Sequence, residues 1–332
     1  KLLADPGIEQ IVSLDMRPPV VVSSRVVHAQ GDVRDPAIEA CFRGADAVIH
    51  LAFIVTRVMD PHVFEAINVG GSKNVFASAY AAGVRQFVYA SSVAAYGVVD
   101  RTSVVTEDTL RVRDPRFPYA ACKFDVEAFL DEWEASRPDV IVARLRPSVL
   151  MGTRIEHNLG VALRYRVLPA LPRPVPMIWD EDVADAFVLA LQKKARGGFN
   201  LSCDEPLDGT ALARAGGLHL LPMPAGSLQA TLAISDFLAK RGIGVDPAWV
   251  RAILAELPPY DTRRAREELG WRPSCPTGES VIRRFVERDP GRMDPRLALF
   301  FRLVDFGAQR AGAALRELAP ADADVHLWLT GP

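Results

Sequence analysis

No two of the four cysteines, Cys41, Cys122, Cys203 and Cys275, lie close together in this 332-residue chain. None of the six histidines has a Cys, His or carboxylate at metal-ligand spacing. These absences exclude a disulfide framework and a structural zinc site, and they favour a reducing, cytoplasmic setting with no bound metal. Charge of one sign is missing too. Thirty-nine Lys and Arg stand against 41 Asp and Glu, a formal net charge of −2, so no basic field exists to hold a nucleic acid. Long apolar runs are also lacking: the longest stretch free of acidic and basic residues, Ala215 to Ser235, is broken by Pro222 and Pro224, and no segment is expected to span a bilayer. With 49% hydrophobic and 24% charged residues, the composition rules out a disordered or fibrous chain.

What is present is a rhythm. Short apolar runs at 10–15, 25–30, 46–52, 85–92 and 139–146 read as strands, and amphipathic stretches at 35–43, 60–83 and 118–136 read as helices between them. Pro36, Pro61 and Pro118 sit where a helix accepts proline, in its first turn. Strands that are continuous Val, Ile, Leu and Ala are buried on both faces, so the pattern predicts an α/β fold with a Rossmann-like, doubly wound parallel sheet. After Arg146-Pro147 the rhythm breaks. Prolines at 169, 172, 174 and 176 mark irregular chain, followed by helix-like segments near 182–195, 227–241, 246–256, 262–269 and 277–287 and one clear strand, Gly198 to Cys203. A parallel-sheet domain over 1–150 and a smaller, mostly helical lobe over 151–290 follow from this. Residues 291–332 read as a C-terminal helix, from Asp294 to about Leu318, and the start of an extension. That helix is apolar enough to pack on the body or a second subunit, with surface membrane contact the less favoured alternative. The first ten residues read as the end of a helix and the last eight as the start of a strand, so the chain is expected to continue beyond both ends.

Two segments carry chemistry. Tyr119 and Lys123 are four residues apart in a predicted helix and share a face, so an ammonium can sit beside a phenol and draw its proton into reach of neutral-pH exchange. The competing reading is an ordinary surface Tyr and Lys. Upstream, Ser91 and Ser92 close a predicted strand at the end of a parallel sheet where ligands bind, and Ser92 can donate to a carbonyl oxygen that gains charge.

In these segments the chain resembles the extended short-chain dehydrogenase/reductase superfamily, the group that includes NAD-dependent epimerases and dehydratases. The resemblance runs from residue 1 to about 285. It is carried by Leu14-Asp15, Gly31 to Asp35, Val48 to Ala52, Asn68 to Ser72, Ser91-Ser92 with Tyr96-Gly97, Tyr119 to Lys123, Leu145 to Pro147, Asp180 to Ala186, and Leu269 to Trp271, in that order. It implies a catalytic triad of Ser92, Tyr119 and Lys123. Tyr119 is then the general acid/base, Lys123 lowers its pKa and holds the nicotinamide ribose, and Ser92 orients the substrate oxygen. Cofactor-binding residues implied in the same way are Asp15, Arg17, Asp32, Val33, Leu51, Ala52, Asn68, Ala90, Pro147, Ser148 and Val149, along with Tyr119 and Lys123. A carboxylate at Asp15 favours NAD over NADP, whereas Arg17 could accommodate a phosphate. Asp32 reads almost as well as a solvated loop acid.

The sequence departs from the family in three places. No Gly-x-x-Gly-x-x-Gly turn is present to meet a pyrophosphate, and the central first strand that precedes this turn is absent with it, so a split sheet is expected. Val149 stands where sugar-nucleotide enzymes commonly carry Asn, and Leu257 to Thr262 lacks an Arg-x-Gly-Asp-like segment. The loop Phe53-Ile54-Val55 and the region of Val98 and Val99 are apolar. The leading expectation is therefore an NAD-dependent oxidoreductase interconverting a secondary alcohol and a ketone. An epimerase or dehydratase acting on a nucleotide sugar through transient oxidation is the first alternative. A non-catalytic, cofactor-binding regulatory protein is the second. The expected partner is a small-molecule substrate, with a homodimer through the helices at 60–83 and 118–136.

Overall fold

The computed structural model describes residues 1–55, 60–97, 103–152, 167–169, 174–221 and 257–288. The helices expected near 227–241 and 246–256, the residues 291–332, and Val98 and Val99 lie outside the described residues.

Strands β1 (Ile11–Asp15) and β2 (Val26–Gln30) form one parallel pair, with Ile11 opposite Val26 and Asp15 opposite Gln30. A second, four-stranded sheet runs in the order β3 (Ala47–His50), β4 (Gln86–Ala90), β5 (Ile141–Pro147), β9 (Gly197–Leu201), all parallel. Among the described residues no ladder joins the two sheets. Burial follows from this division. β4 and β5 are covered on both faces and are mostly apolar, and the two charged residues of β5, Arg144 and Arg146, are buried in ion pairs. β1 and β2 alternate instead, leaving Val12 and Val27 42% and 44% exposed.

Between β3 and β4 the single predicted helix is three pieces: α1 (Pro61–Glu65), a π turn (Ala66–Gly70) and α2 (Gly71–Ala81). Asp60 caps the start by accepting from His62 N–H at 2.8 Å. Tertiary contacts explain the widened turn. It carries Asn68, whose amide bonds Ile54, and it brings Gly71 so close to Val33 that a Cβ there would clash. The segment expected as a helix at 35–43 tightens to a 3-10 helix over Pro36–Phe42, capped by Asp35. Helix α3 (Pro118–Ala135) follows its expected bounds and buries Val126, Leu130 and Trp133 in one core with Phe76 and Phe87.

Beyond β5 come short strands β6 (Val149–Met151), β7 (Val167–Pro169), β8 (Met177–Trp179) and β10 (His219–Leu221), paired β6 with β8 and β7 with β10. The helices are α4 (Asp180–Gln192), α5 (Gly209–Gly216), α6 (Arg263–Glu268) and α7 (Gly278–Arg288). α5, bounded by glycines and capped by Asp208, is a helix the apolar periodicity did not reveal. Met151, Trp179, Leu212 and Phe285 form a separate core for this part of the chain. Buried Asp182 ties it to α4: its carboxylate accepts from Ser274 N–H and Oγ–H, both at 2.7 Å, and from Cys275 N–H at 3.1 Å. Its carbonyl accepts from Trp271 Nε1–H at 2.9 Å. No helix among the described residues is long and apolar enough to cross a membrane. No group of three His, Cys, Asp or Glu side chains among them could hold a metal ion.

Candidate active site

The parallel register carries β4 out of the core at Ala90, and the chain turns at once through Ser91 and Ser92 into a 3-10 turn over Val93–Tyr96. Ser92 is the N-cap of that turn, its Oγ accepting from Ala94 N–H at 3.1 Å. The same hydroxyl lies beside the phenol of Tyr119, in the first turn of α3, and works to lower its pKa. Ser92 and Tyr119, 27 positions apart in sequence, are thus brought side by side. Gly97 ends the turn with φ +65°, close enough to the Val112 carbonyl that no side chain fits.

One helical turn beyond Tyr119, Lys123 is buried. Its Nζ donates to the Ala90 carbonyl at 2.5 Å and to Tyr89 Oη at 3.4 Å, and it sits 3.5 Å from the Phe53 ring centre. Phe53 in turn meets Tyr119 edge-on, with ring centres 5.6 Å apart.

Burial sets the charges here. It lowers the Lys123 ammonium to about 7, against the attraction of Glu127 and Cys122, which raises it. It also pushes the Tyr119 phenol up to about 12, with the Ser92 hydroxyl working in the opposite direction. The expected lowering of Tyr119 by Lys123 is not what the structure shows, because the ammonium is turned to Ala90 and Phe53 and stands 5.7 Å from the Tyr119 ring centre. Burial, and then the Lys123 charge, hold neighbouring His50 neutral, down at about 3, where its Nε2 pairs with Ser72 Oγ at 2.8 Å.

The remaining candidates fall into two groups. Asp15, exposed at the end of β1, accepts from Arg17 N–H at 2.8 Å. Leu51, 61% exposed, and Ala52 leave the end of β3 open to solvent, and Ala90 presents its carbonyl to Lys123. Pro147, Ser148 and Val149 lie at the same end of the sheet, with Ser148 N–H bonded to the Leu201 carbonyl at 2.8 Å. These positions suit a ligand lying across the strand ends. Of the others, Asn68 and Val33 face inward, whereas the Asp32 side chain is 30% exposed. Asn68 spends its amide on both backbone groups of Ile54, at 2.7 and 2.9 Å, and so holds the loop that carries Phe53. Val33 packs against the first core and Gly71. Asp32 binds Arg34 with a 2.5 Å ion pair, and that hydrogen bonding lowers its carboxyl to about 2.

Two residues beside the site carry no sequence signal of their own: Glu127 and Arg111. Glu127 is wholly buried on α3. Ser91 Oγ, Arg146 Nε, Arg146 Nη2 and Arg111 Nη1 donate to its two oxygens at 2.5, 2.9, 2.5 and 2.6 Å. Burial works to raise its pKa, but Arg146, Arg111 and Ser91 outweigh it and keep the carboxylate charged.

The chain is similar to several known proteins. An uncharacterized protein of Mycobacterium tuberculosis is 25% identical over 297 residues, covering 84% of this chain and 77% of that one. UDP-glucose 4-epimerase of Streptomyces lividans is 27% identical, covering 74% of this chain and 77% of its own length. Among solved structures, UDP-glucose 4-epimerase of Thermotoga maritima with UDP-glucose superposes with a TM-score of 0.65 at 17% identity, over 84% of this chain and 90% of that one. A UDP-glucose 4-epimerase from Stenotrophomonas with bound NAD and a formylated UDP-arabinopyranose gives 0.62 at 22% identity, over 80% and 82%. At these identities the structural likeness establishes the fold, a Rossmann-like arrangement of parallel strands and helices. The NAD dependent epimerase/dehydratase family profile matches residues 1–201, more than half the chain, and the protein therefore belongs to that family.

Proposed function

We propose that this protein is an NAD-dependent epimerase or dehydratase acting on a nucleotide sugar. The observation that carries the reading is the placement of the Ser92 hydroxyl beside the Tyr119 phenol at the end of β4, with Lys123 one turn further along α3. Once it has given up its own proton, the Tyr119 phenolate takes a proton from a substrate alcohol as it becomes a carbonyl and returns it on reduction. NAD, when bound, supplies the hydride acceptor for the oxidation. The residues present fit its two ends: the Asp15 carboxylate, at the end of β1, suits adenosine ribose hydroxyls, and Lys123 with Tyr119 suits the nicotinamide ribose. Ser92 holds the substrate oxygen, Tyr119 moves the proton, and Phe53 with Ile54 walls off water beside them. No glycine-rich pyrophosphate turn occurs in the sequence.

Support for the nucleotide-sugar class comes from the family and from the UDP-glucose 4-epimerases among its relatives. The leading sequence expectation, a net alcohol dehydrogenase, has weaker support. It rests on Val149 and on the aromatic wall at Phe53, which favour a less polar substrate. Incubation with NAD and UDP-glucose, followed by NMR of the sugar and absorbance at the NADH band, separates the two. Conversion of the sugar without accumulating NADH supports the proposal; stoichiometric NADH supports the dehydrogenase.

A further inference from the structure

Tyr96 closes the 3-10 turn that Ser92 opens, and the two ends of this short loop are tied to one buried ion pair. At its start, Ser91 Oγ donates to Glu127 Oε1 at 2.5 Å. At its end, Tyr96 Oη accepts from Arg146 Nη1 at 2.8 Å and donates to Asn200 Oδ1 at 2.8 Å. Arg146 is itself bonded through Nε and Nη2 to both oxygens of Glu127. Glu127 stands on α3 one turn beyond Lys123 and two beyond Tyr119. One carboxylate therefore registers the loop bearing Ser92 against the helix bearing Tyr119.

Packing a largely buried loop does not by itself call for a fully buried charge, because burying ions costs more than packing apolar groups of similar size. What the ion pair adds is direction. Its donors have fixed geometry, and Arg146 reaches both Glu127 and Tyr96 with one planar guanidinium. We propose that Glu127, with Arg146, is a positioning residue that clamps both ends of loop 91–96 and so aims Ser92 at Tyr119. This rests on the reading of Ser92 and Tyr119 as the reacting pair; the clamp itself can be tested without turnover.

Ser91→Ala cuts the link with little risk to folding, and Glu127→Gln removes the charge. The amide of Ala94, which donates to Ser92 Oγ, reports the clamp directly. Hydrogen exchange of the 91–97 segment is expected to quicken at least tenfold in both variants, with the rest of α3 unchanged and Ser91→Thr restoring protection. Exchange in Ser91→Ala equal to wild type overturns the proposal, and that variant decides the matter even where Glu127→Gln does not fold. With UDP-glucose and NAD, Ser91→Ala is expected to lower kcat about tenfold at unchanged KM, and the Ser91→Ala/Ser92→Ala double variant to match Ser92→Ala alone. Additive losses would mean that Ser91 does not act through Ser92, and would overturn the proposal. A wild-type protein that does not turn over UDP-glucose counts against the assigned substrate, while the exchange result still judges the clamp.

Discussion

The ammonium of Lys123 lies 3.5 Å from the ring centre of Phe53, sealed from solvent while its Nζ donates to the Ala90 carbonyl. An aromatic face and one carbonyl replace only part of the hydration such a cation loses, and a cost to stability follows that depends on pH.

Folded, Lys123 keeps its proton only to about pH 7; unfolded, it keeps it to the ordinary lysine value of 10.5. Between these values the unfolded chain binds more protons, so stability rises with pH; below pH 7 the penalty is present in full. Relative to Lys123→Met, wild-type stability in urea should climb by up to about 1.4 kcal/mol per pH unit across pH 7 to 10. Parallel pH profiles for the two proteins would show that Lys123 is not held in a lowered state.

Ser92→Ala removes the hydroxyl that works to lower Tyr119 and that the proposed reaction uses to hold the substrate oxygen. A loss of roughly 100-fold in kcat is expected, with NAD affinity by calorimetry unchanged. A change confined to KM would place Ser92 in binding alone.

Asp182→Asn turns one acceptor oxygen into a donor that faces the N–H groups of Ser274 and Cys275. Leaving buried donors unpaired should cost about 1–3 kcal/mol in denaturant unfolding, with kcat unaffected. Unfolding midpoints within error of wild type would refute that role.

The strands β4 and β5 and helix α3 were legible in the sequence because both strand faces and one helix face are buried, which stamps an apolar pattern on the chain. Tyr119 and Lys123 were legible because one helix presents both. Glu127 was not, since its partners Ser91, Arg111 and Arg146 lie 36, 16 and 19 residues away on other segments. The break in the helix at 60–83 was hidden for the same reason. It depends on Asn68 reaching Ile54 and Gly71 meeting Val33, contacts that no local period encodes.

The most direct test of Tyr119 as the proton-moving group of a nucleotide-sugar epimerase or dehydratase is one comparison by NMR. Wild type and Tyr119→Phe would each be given NAD and UDP-glucose deuterated at carbon 4. We expect wild type to convert the sugar with deuterium kept in the product and no accumulating NADH, and Tyr119→Phe to be at least about 100-fold slower while still folded and binding NAD. Equal conversion by both proteins, or release of the label as free NADD, would contradict it.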